Sequence, residues 1–340
     1  MKVIILRIAK TLGLFVISSW LTRNRLRILG YHGIWFLDDH YGNHLFMSPE
    51  KFHSRMTWLK NSKYHVISLD SALRGLKTGK GMPYSTVITI DDGWFGTFRY
   101  MLPVLQQENM GATLYVYTGA VDKQEVMGNI LIPALVQLSI IKSFYLNDFS
   151  ASQPTQIDIS SELKKQKEAS ELVDIWQELD EDQAKIFCRE VAESLGFDFD
   201  LIVESRQFSF MSYDEISIAN KNGLDIQLHT DTHHLDVRAP DKIVSEIKIN
   251  REKLVSHVDS TLNHFCYPSG VNCNAMHPFL EECGIISATI TETGLVKPLS
   301  NPYAMNRILD GEQVSQLEFE GEMSGFLELV RDLKRILFPS

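Results

Sequence analysis

The chain has 340 residues, 44% of them hydrophobic, which is enough to bury a sizeable core in one large domain or two ordinary ones. Its formal net charge at pH 7 is −10, and the only basic cluster is the short segment Arg23-Asn-Arg-Leu-Arg27. This charge would repel a nucleic acid on average, so the composition argues against a nucleic-acid partner.

The first 24 residues predict an apolar N-terminal helix. Lys2, Arg7 and Lys10 precede the apolar run Leu12-Gly-Leu-Phe-Val-Ile. The run is shorter than the ~20 residues that a membrane-spanning helix needs, and no small-x-small cleavage site follows it as in a signal peptide. Two interpretations stay open: a helix that packs on the domain, and an interfacial helix through which the protein associates peripherally with a membrane.

The four cysteines bear on the compartment. Cys188, Cys266, Cys273 and Cys283 are spaced neither as a CxxC zinc knuckle nor as a dense disulfide framework. Reduced thiols are the simpler interpretation, and a Cys266–Cys273 pair is the alternative. We therefore expect a cytoplasmic protein, membrane-associated if the N-terminal helix is interfacial, with export as the alternative.

Short β-rich runs alternate with amphipathic helical patterns along most of the chain. The predicted strands are 27–31, 65–69, 86–90, 113–117, 225–228, 264–267 and 287–291. The predicted helices between them are 52–59, 98–105, 213–219, 243–255 and 275–283. Such alternation is typical of parallel strands joined by crossover helices, so it predicts an α/β barrel or a doubly wound sheet.

The alternation breaks between about residues 121 and 210. This segment predicts an apolar helix at 130–141, charged helices within 161–194, and no strand. We interpret it as a helical insertion in a main domain that covers residues 25–340. A lid, a packing subdomain and a substrate-binding element are all compatible with it.

Residues able to do chemistry follow several predicted strands, where barrels of parallel strands place their active sites. The strand 86–90 is followed by Asp91, Asp92 and Gly93. Adjacent carboxylates in extended backbone point in opposite directions, so they would take different roles, and Gly93 permits a sharp turn. Taken alone, Asp-Asp-Gly is typical of a plain turn.

A pair of histidines follows the strand 225–228, in the segment His229-Thr-Asp-Thr-His233-His234. Two imidazoles four residues apart can meet one ion when the chain between them makes a tight turn, which the Thr230 hydroxyl can hold. Two imidazoles and one carboxylate leave positions open for water and substrate. Catalytic zinc is often bound in this way, but iron(II) accepts the same set, so the ligand types do not fix the metal.

Two further predicted strands end in candidate site residues. In Phe265-Cys-Tyr-Pro-Ser-Gly270, a proline followed by small residues could hold the backbone open, with N–H groups facing the metal; a plain turn is the alternative. In Leu29-Gly-Tyr-His32-Gly, the histidine stands at the end of the first strand. That position indicates an active-site role, against the ordinary alternative of a core histidine.

Together these segments resemble the polysaccharide deacetylases, the family with the NodB-homology fold. Thr89-Ile-Asp-Asp-Gly resembles their T-F-D-D-G motif with Ile90 in place of Phe, and His229-Thr-x-x-His233 resembles their H-[ST]-x-x-H motif. Phe265-Cys-Tyr-Pro-Ser-Gly resembles their F-A-Y-P-x-G motif, and Met305-Asn-Arg307-Ile resembles a late P-R-I segment. The resemblance covers about residues 27–308 without the insertion, and ordered motifs are far more specific than any one alone.

The resemblance implies a distorted (β/α) barrel of about seven strands. It implies that Asp92, His229 and His233 bind a divalent metal, with Zn²⁺ as the first expectation, and that Asp91 is the general base. Such a metal lowers the pKa of water and polarises the acetamide oxygen. The oxyanion would be held by the metal and by a backbone N–H near Ser269.

The chain departs from the common pattern of this family at the general acid. Many members supply it from a late Leu-His motif, and no such histidine follows His277. Members with a permuted motif order begin with a Tyr-His strand instead, which Tyr31-His32 resembles. His32 is therefore predicted to be the general acid.

Four further residues are predicted around this centre. Tyr267, Ser269 and Trp94 are placed on the substrate or oxyanion side; Ser269 stands where an aromatic residue is common, and Trp94 would either pack in the core or stack on a sugar ring. No arginine precedes Tyr267 to pair with the base, so Arg307 is predicted to orient Asp91.

A second acidic-histidine cluster lies just after the first predicted strand. It consists of Asp38, Asp39, His40 and His44. Loops rich in such residues are ordinarily solvated connections, so we interpret it as a loop near the barrel mouth and not as a second metal site.

The leading functional hypothesis is a carbon–nitrogen hydrolase. It would remove N-acetyl groups from an N-acetylhexosamine-containing polysaccharide or a lipid-linked glycan. One alternative keeps the metal site but makes the protein an O-acetyl esterase or an amidase on non-sugar compounds. Another is a non-catalytic glycan-binding module, against which the presence of base, ligands and candidate acid argues.

Overall fold

The structure, a computed structural model, describes residues 2–37, 43, 45–79, 81–124, 126–146 and 154–338. The chain forms two compact units. The first unit consists of residues 1–34, 44–123 and 211–340, and the second consists of residues 35–43 and 124–210.

Twelve β-strands lie in the described part of the chain. In chain order they are β1 (Arg27–Tyr31), β2 (Gly33–Ile34), β3 (Phe46–Met47), β4 (His65–Val66), β5 (Ser85–Ile90), β6 (Ala112–Val116), β7 (Ser143–Leu146), β8 (Thr155–Asp158), β9 (Leu224–Leu228), β10 (His264–Cys266), β11 (Ser287–Thr293) and β12 (Met305–Leu309).

Seven strands of the first unit close into a parallel barrel. Its strand order is β1, β12, β11, β10, β9, β6 and β5, and β5 pairs back with β1 to complete the ring. The short strand β4 adds to β5 outside the ring. The predicted (β/α) barrel of about seven strands is confirmed.

The barrel strands are mostly buried, which is why they appear in the sequence as runs of apolar and β-branched residues. All six residues of β5 and all five of β1 are buried. Five strands each contribute a side chain to one buried cluster, which also includes residues of the helix after β4. These side chains are Ile28, Val87, Tyr115, Cys266 and Met305.

Fifteen α-helices complete the described structure. In chain order they are α1 (Lys2–Thr11), α2 (Leu14–Leu21), α3 (Pro49–Lys60), α4 (Leu69–Lys77), α5 (Leu102–Glu108), α6 (Thr118–Lys123), α7 (Gly128–Leu138), α8 (Glu162–Gln177), α9 (Glu181–Ser194), α10 (Phe199–Ser205), α11 (Tyr213–Lys221), α12 (Ile243–Leu254), α13 (His277–Glu282), α14 (Gln316–Met323) and α15 (Phe326–Leu337). A π-helical turn at Thr97–Met101 precedes α5.

The helices between the barrel strands lie close to the predicted ones, because their starts are marked by local signals. For α11, Ser212 and Glu215 form a capping box, in which each side chain accepts a hydrogen bond from the backbone of the other residue. Ser68 caps α4 through the N–H of Ser71. That cap ends the preceding strand at Val66, so the predicted strand 65–69 is three residues too long.

The N-terminal segment differs from the single helix that was predicted. It forms α1 and α2, separated at Gly13, whose φ of 76° is left-handed and interrupts the helix. The two helix axes are bent by 83° relative to each other. In the described part of the chain, no individual helix has the length and apolar composition to cross a membrane, and α1 and α2 reach that length only together.

The second unit contains α7 to α10 and a two-stranded antiparallel sheet of β7 and β8. The sheet was not predicted. In β7, Phe144 and Leu146 are buried and alternate with exposed residues, a pattern too short to distinguish from loop sequence. Residues 35–43 join this unit: the N–H of Phe36 donates to Oε1 of Gln207 at 2.7 Å.

Candidate active site

Three predicted site residues each follow directly after a barrel strand. His32 follows β1, Asp91 follows β5, and His229 follows β9. Because β1 and β5 pair in parallel with Tyr31 opposite Ile90, His32 and Asp91 leave adjacent strands at the same level. The carboxyl ends of the barrel therefore bring these distant segments together.

Asp92, His229 and His233 converge on one point. The Oδ1 atom of Asp92 lies 3.2 Å from Nε2 of His229 and 3.4 Å from Nε2 of His233. Asp92 and His229 are buried, whereas the side chain of His233 is 32% exposed, so the cluster is open to solvent on one side. Three donor atoms of this type with an open side fit a catalytic divalent cation.

Backbone contacts fix the orientation of His229. Its Nδ1–H donates to the carbonyl oxygen of Cys266 at 2.8 Å, since a carbonyl can only accept. This leaves Nε2 facing Oδ1 of Asp92. A metal-binding histidine is commonly oriented by such a second hydrogen bond.

The backbone of the cluster takes left-handed conformations that non-glycine residues rarely adopt. The φ angles are 73° at Asp92, 67° at Thr230 and 56° at His233. A β-branched residue such as Thr230 is strained there. The turn is held because the N–H of His233 donates to Oγ1 of Thr230 at 3.0 Å. Strain of this kind clusters at functional sites.

Asp92 and His229 shift each other's pKa. Burial alone would raise the pKa of Asp92, but hydrogen bonds from His229 and His233 hold it well below its usual range. Burial alone would lower the pKa of His229, but Cys266 and Asp92 raise it well above its ordinary value. A cation at this point would therefore compete with a proton on His229.

A second donor set shares His229 with the first and adds Asp91 and Cys266. We consider it the poorer metal site. Both carboxylate oxygens of Asp91 already accept hydrogen bonds from the guanidinium of Arg307, so a cation bound there would lie beside a positive charge.

Asp91 is held by Arg307. Nη1 of Arg307 donates to Oδ1 of Asp91 at 2.7 Å, and Nη2 donates to Oδ2 at 2.7 Å. Burial alone would raise the pKa of Asp91, but Arg307 and His32 hold it below its usual value. The carboxylate is thus ionised and fixed in one orientation, and the role of Arg307 in orienting a catalytic base stays a prediction.

Arg307 is itself held in place by two further hydrogen bonds. Its Nε donates to the carbonyl of Ile290 at 3.0 Å, and Nη1 donates to Oγ1 of Thr89 at 3.2 Å. Space for the guanidinium depends on Gly30, where an added Cβ would lie 3.4 Å from Nη1 of Arg307 and 2.6 Å from the Leu309 side chain.

His32 lies beside the same carboxylate. Its Nε2 is 3.5 Å from Oδ2 of Asp91, and its side chain is 17% exposed. Burial lowers the pKa of His32 below its ordinary value, and the carboxylates of Asp91 and Asp92 offset only part of this effect. The imidazole is therefore neutral at pH 7 and can act as an acid only after it has gained a proton.

Of the two alternatives predicted for Trp94, the structure has core packing and not a position for sugar stacking. Its ring is buried, and its Nε1–H donates to Oδ2 of Asp92 at 2.8 Å. The reason is the turn at Asp92 and Gly93, which brings the indole back onto the carboxylate two residues earlier. Oδ2 is thereby occupied, and only Oδ1 of Asp92 faces the two imidazoles.

Tyr267 also differs from its predicted role. Its side chain is fully buried, and its N–H donates to the carbonyl of Thr289 at 3.2 Å, so neither ring nor N–H is available to a substrate. Ser269, by contrast, is exposed with a φ of 53°. Among the backbone hydrogen bonds of the described loops and turns, none is donated by the Ser269 N–H.

Helix α12 contributes two supporting residues that sequence reasoning missed. Asn250 accepts the N–H of His229 at 3.0 Å and donates to the carbonyl of Val116 at 3.0 Å. Glu246 accepts from the N–H groups of Asp231 and Thr232 at 3.0 and 2.9 Å. The only sequence signal is their spacing of four residues on the helix that follows the histidine segment.

The sequence also named a second acidic-histidine cluster, an alternative ligand His234, and four cysteines. Asp38, Asp39, His40 and His44 lie outside the described residues. His234 is exposed, and the imidazole that approaches Asp92 belongs to His233. All four cysteines are free thiols, in agreement with the simpler interpretation.

Comparisons with known proteins support the resemblance. No protein-family model matches the chain. It is similar to "Putative polysaccharide deacetylase YxkH" of Bacillus subtilis (strain 168), with 28% identity over 103 residues, which are 29% of this chain and 35% of that protein. The chain thus aligns with about a third of the length of this curated relative.

Two solved structures have the same fold. Streptococcus pyogenes deacetylase PplD in complex with acetate matches with a TM-score of 0.58 at 16% identity, over 88% of this chain and 98% of that one. IcaB from Ammonifex degensii matches with a TM-score of 0.56 at 15% identity, over 88% and 97%. The predicted resemblance to the polysaccharide deacetylases is confirmed at the level of the fold; the permuted motif order stays a prediction.

Proposed function

We propose that this protein is a metal-dependent hydrolase that removes N-acetyl groups from an N-acetylhexosamine-containing polysaccharide or lipid-linked glycan. The observation that carries the proposal is the approach of Asp92 Oδ1 to two imidazole nitrogens, at 3.2 and 3.4 Å, beside a separately held carboxylate, Asp91. The fold shared with deacetylases supports the substrate class.

The metal would be held by Oδ1 of Asp92 and by the Nε2 atoms of His229 and His233. Two imidazoles and one carboxylate are a common donor set of catalytic zinc, so Zn²⁺ is the first candidate. A cation bound there supplies Lewis-acid chemistry, which acidifies a water molecule and polarises the acetyl carbonyl.

Asp91 would accept the proton of the attacking water. Its lowered pKa makes it a weak base, so it takes a proton only from a water that has already been made acidic. Arg307 keeps both of its oxygens in fixed positions, which favours one direction of proton transfer.

His32 would carry the proton onward to the leaving nitrogen. Its Nε2 lies 3.5 Å from Oδ2 of Asp91, so a proton accepted by Asp91 can reach the imidazole with little movement. The water oxygen bonds to the acetyl carbon, the carbon–nitrogen bond breaks, and the nitrogen leaves as an amine with the transferred proton. The products are acetate and a free amino sugar.

The backbone N–H of Ser269 is the proposed oxyanion donor. The φ of Ser269 is 53°, in the left-handed region. At the next position only glycine fits, because a Cβ on residue 270 would lie 2.0 Å from Oγ1 of Thr291. A donor of this type contributes about 3 kcal/mol to transition-state stabilisation.

The test is acetate release by the full chain. The purified protein, loaded with one equivalent of Zn²⁺, is incubated with chitooligosaccharides and with β-1,6-linked N-acetylglucosamine oligomers. We expect acetate and free amine in equal amounts, with Asp91→Asn as the inactive control. If no acetate appears from any N-acetylated glycan while the metal stays bound, the proposal is wrong.

O-acetyl esters and non-sugar amides are the alternative substrates. An alkoxide leaves from an ester with less need for protonation than an amine leaves from an amide. His32→Ala should therefore slow amide hydrolysis more than ester hydrolysis, and assays with acetylxylan and simple acetamides give the ranking. An Asp91→Asn protein that keeps its full biological activity would instead indicate a glycan-binding module.

A further inference from the structure

The second helix, α2, has its apolar side chains on the outside. Val16, Ile17 and Trp20 have 68%, 54% and 56% of their surfaces exposed. The residues of the same helix that are buried against the protein include Ser18 and Ser19. A helix on the surface of a globular protein normally has the opposite arrangement, with its apolar stripe facing the core.

Helix α1 continues this arrangement. Ile4, Ile8 and Leu12 follow each other at intervals of four residues, so they form one stripe on the helix surface, and they are 64%, 54% and 68% exposed. The inward side carries Leu6 and Ala9, which are both buried. The two helices together therefore present an aliphatic surface to the outside.

This orientation is fixed by the contacts of the inward side. Leu6, Ala9 and Phe15 form a buried cluster against residues of α14 and α15, and the rings of Phe15 and Phe326 are 5.5 Å apart. Lys2 forms an ion pair with Glu318 at 2.9 Å, and Lys10 forms one with Glu320. Rotating either helix to hide its aliphatic side would break these contacts.

The C-terminal helix α15, which packs against α2, also exposes apolar side chains. Leu333, Ile336 and Leu337 lie near its end and Phe338 directly after it, all with more than half of their surfaces exposed. Exposed apolar side chains in this number on neighbouring helices indicate a binding surface.

The charge of the segment indicates what it binds. Residues 1–37 contain no Asp or Glu, although the whole chain has a net charge of −10. It has six basic residues, of which Lys2, Lys10 and Arg25 are paired with acidic residues of α14 and α15 and Arg27 is fully buried. Arg7 and Arg23 form no ion pair with any described residue, and the guanidinium of Arg23 lies 4.7 Å from the ring centre of Trp20.

We propose that α1 and α2 bind in the plane of an anionic lipid bilayer. The aliphatic side chains enter the acyl region, while Trp20, Arg7 and Arg23 lie among the headgroups, where aromatic and cationic residues are favoured. The 83° bend and the lengths of ten and eight residues suit helices that lie on a bilayer. This inference does not depend on the hydrolase activity.

A second copy of the chain is a poorer occupant because of its charge. A symmetric dimer through this surface would bring Arg7 and Arg23 of both copies together without any acidic residue of the segment to neutralise them.

The test is flotation of the full chain with lipid vesicles. One set of vesicles contains roughly 30 mol% phosphatidylglycerol in phosphatidylcholine, and the other is phosphatidylcholine alone. We expect the protein to bind the anionic vesicles, about tenfold more tightly than the neutral ones. Arg7→Glu with Arg23→Glu should remove this preference.

Matched variants distinguish binding through α1 and α2 from binding through any exposed apolar side chain. Ile8→Glu with Ile17→Glu should weaken vesicle binding at least about tenfold. Ile218→Glu, at an isoleucine of α11 that is 47% exposed, should leave it unchanged. Circular dichroism checks that all variants fold.

Three results would overturn the proposal. The wild-type chain could remain unbound with both vesicle types, or Ile218→Glu could weaken binding as much as the α1 and α2 variants do. The third is a lipid-free dimer in solution that the Ile8 and Ile17 substitutions convert to monomer, which would assign the surface to a second copy.

Discussion

The candidate site has two sides whose neighbouring carboxylates lie in contrasting surroundings. On the base side, consisting of Asp91, Arg307 and His32, both oxygens of Asp91 accept from the guanidinium. On the ligand side, consisting of Asp92, His229 and His233, Oδ1 faces two imidazoles. Both carboxylates are buried, so the charge and geometry of their partners, and not burial, distinguish the proposed proton acceptor from the proposed metal ligand.

Replacing each carboxylate by its amide should have the largest effect. Asp91→Asn should lower kcat for deacetylation by about 10²–10⁴-fold with metal content unchanged, because it removes only the base. Asp92→Asn should lose the metal and activity together. Metal content by mass spectrometry and acetate release measure both effects. If Asp91→Asn also lost its metal, the division of roles would be wrong.

Replacing Arg307 tests how strongly the base side depends on the ion pair between Arg307 and Asp91. Arg307→Met leaves a buried carboxylate without its partner and should lower the free energy of unfolding by about 3–5 kcal/mol. Denaturant titration measures this, and Asp91→Asn combined with Arg307→Met should recover part of the loss. Arg238→Met, at an exposed ion pair with Asp236, is the control, with an expected change below about 1 kcal/mol.

Lowering the pH should weaken metal binding on the ligand side before it protonates Asp91 on the base side. The pKa of His229 is raised without metal, so at pH values below it a proton must leave before a cation binds, whereas the lowered pKa of Asp91 keeps it ionised. Metal affinity should therefore fall as pH falls, by up to about tenfold per pH unit for each proton displaced. Calorimetric Zn²⁺ titrations at about pH 8 and pH 6 measure this change, and equal affinities at the two pH values would contradict the expectation.

The smallest predicted effect concerns the hydrogen bond from the Trp94 indole to Asp92. Trp94→Phe frees Oδ2 of Asp92 from its 2.8 Å hydrogen bond, so the carboxylate can rotate and metal affinity should fall about tenfold. Co²⁺ spectra report the altered coordination directly. Trp58→Phe, at an indole that stacks on Tyr64 away from the site, should change neither measurement.

The residues of the site that could be predicted from sequence are those fixed by short local segments. Asp91 and Asp92 follow one strand and the two histidines follow another, so strand prediction alone places them at one end of the barrel. Arg307 was predicted from a resemblance, yet its strand β12 was not, because Asn306 and Arg307 interrupt the apolar run.

Other features depend on side-chain packing that no local pattern encodes. Whether Trp94 faces a sugar or Asp92 is decided by a left-handed turn, and the burial of Tyr267 is decided by the neighbouring strand that accepts its N–H. The break at Gly13 was likewise invisible, since one glycine in an apolar run is compatible with a continuous helix.

The closure of the barrel by β1 and β12 sets the order in which the site can be assembled during synthesis. The histidine pair and both carboxylates have left the ribosome long before Arg307, which is 216 residues beyond Asp91. Pairing over such a separation is slow, because loop-closure entropy is lost before the contact forms. The nascent chain thus carries all three proposed metal donors while the charge of Asp91 is still unmatched, so the proposed activity should be the last property that folding confers.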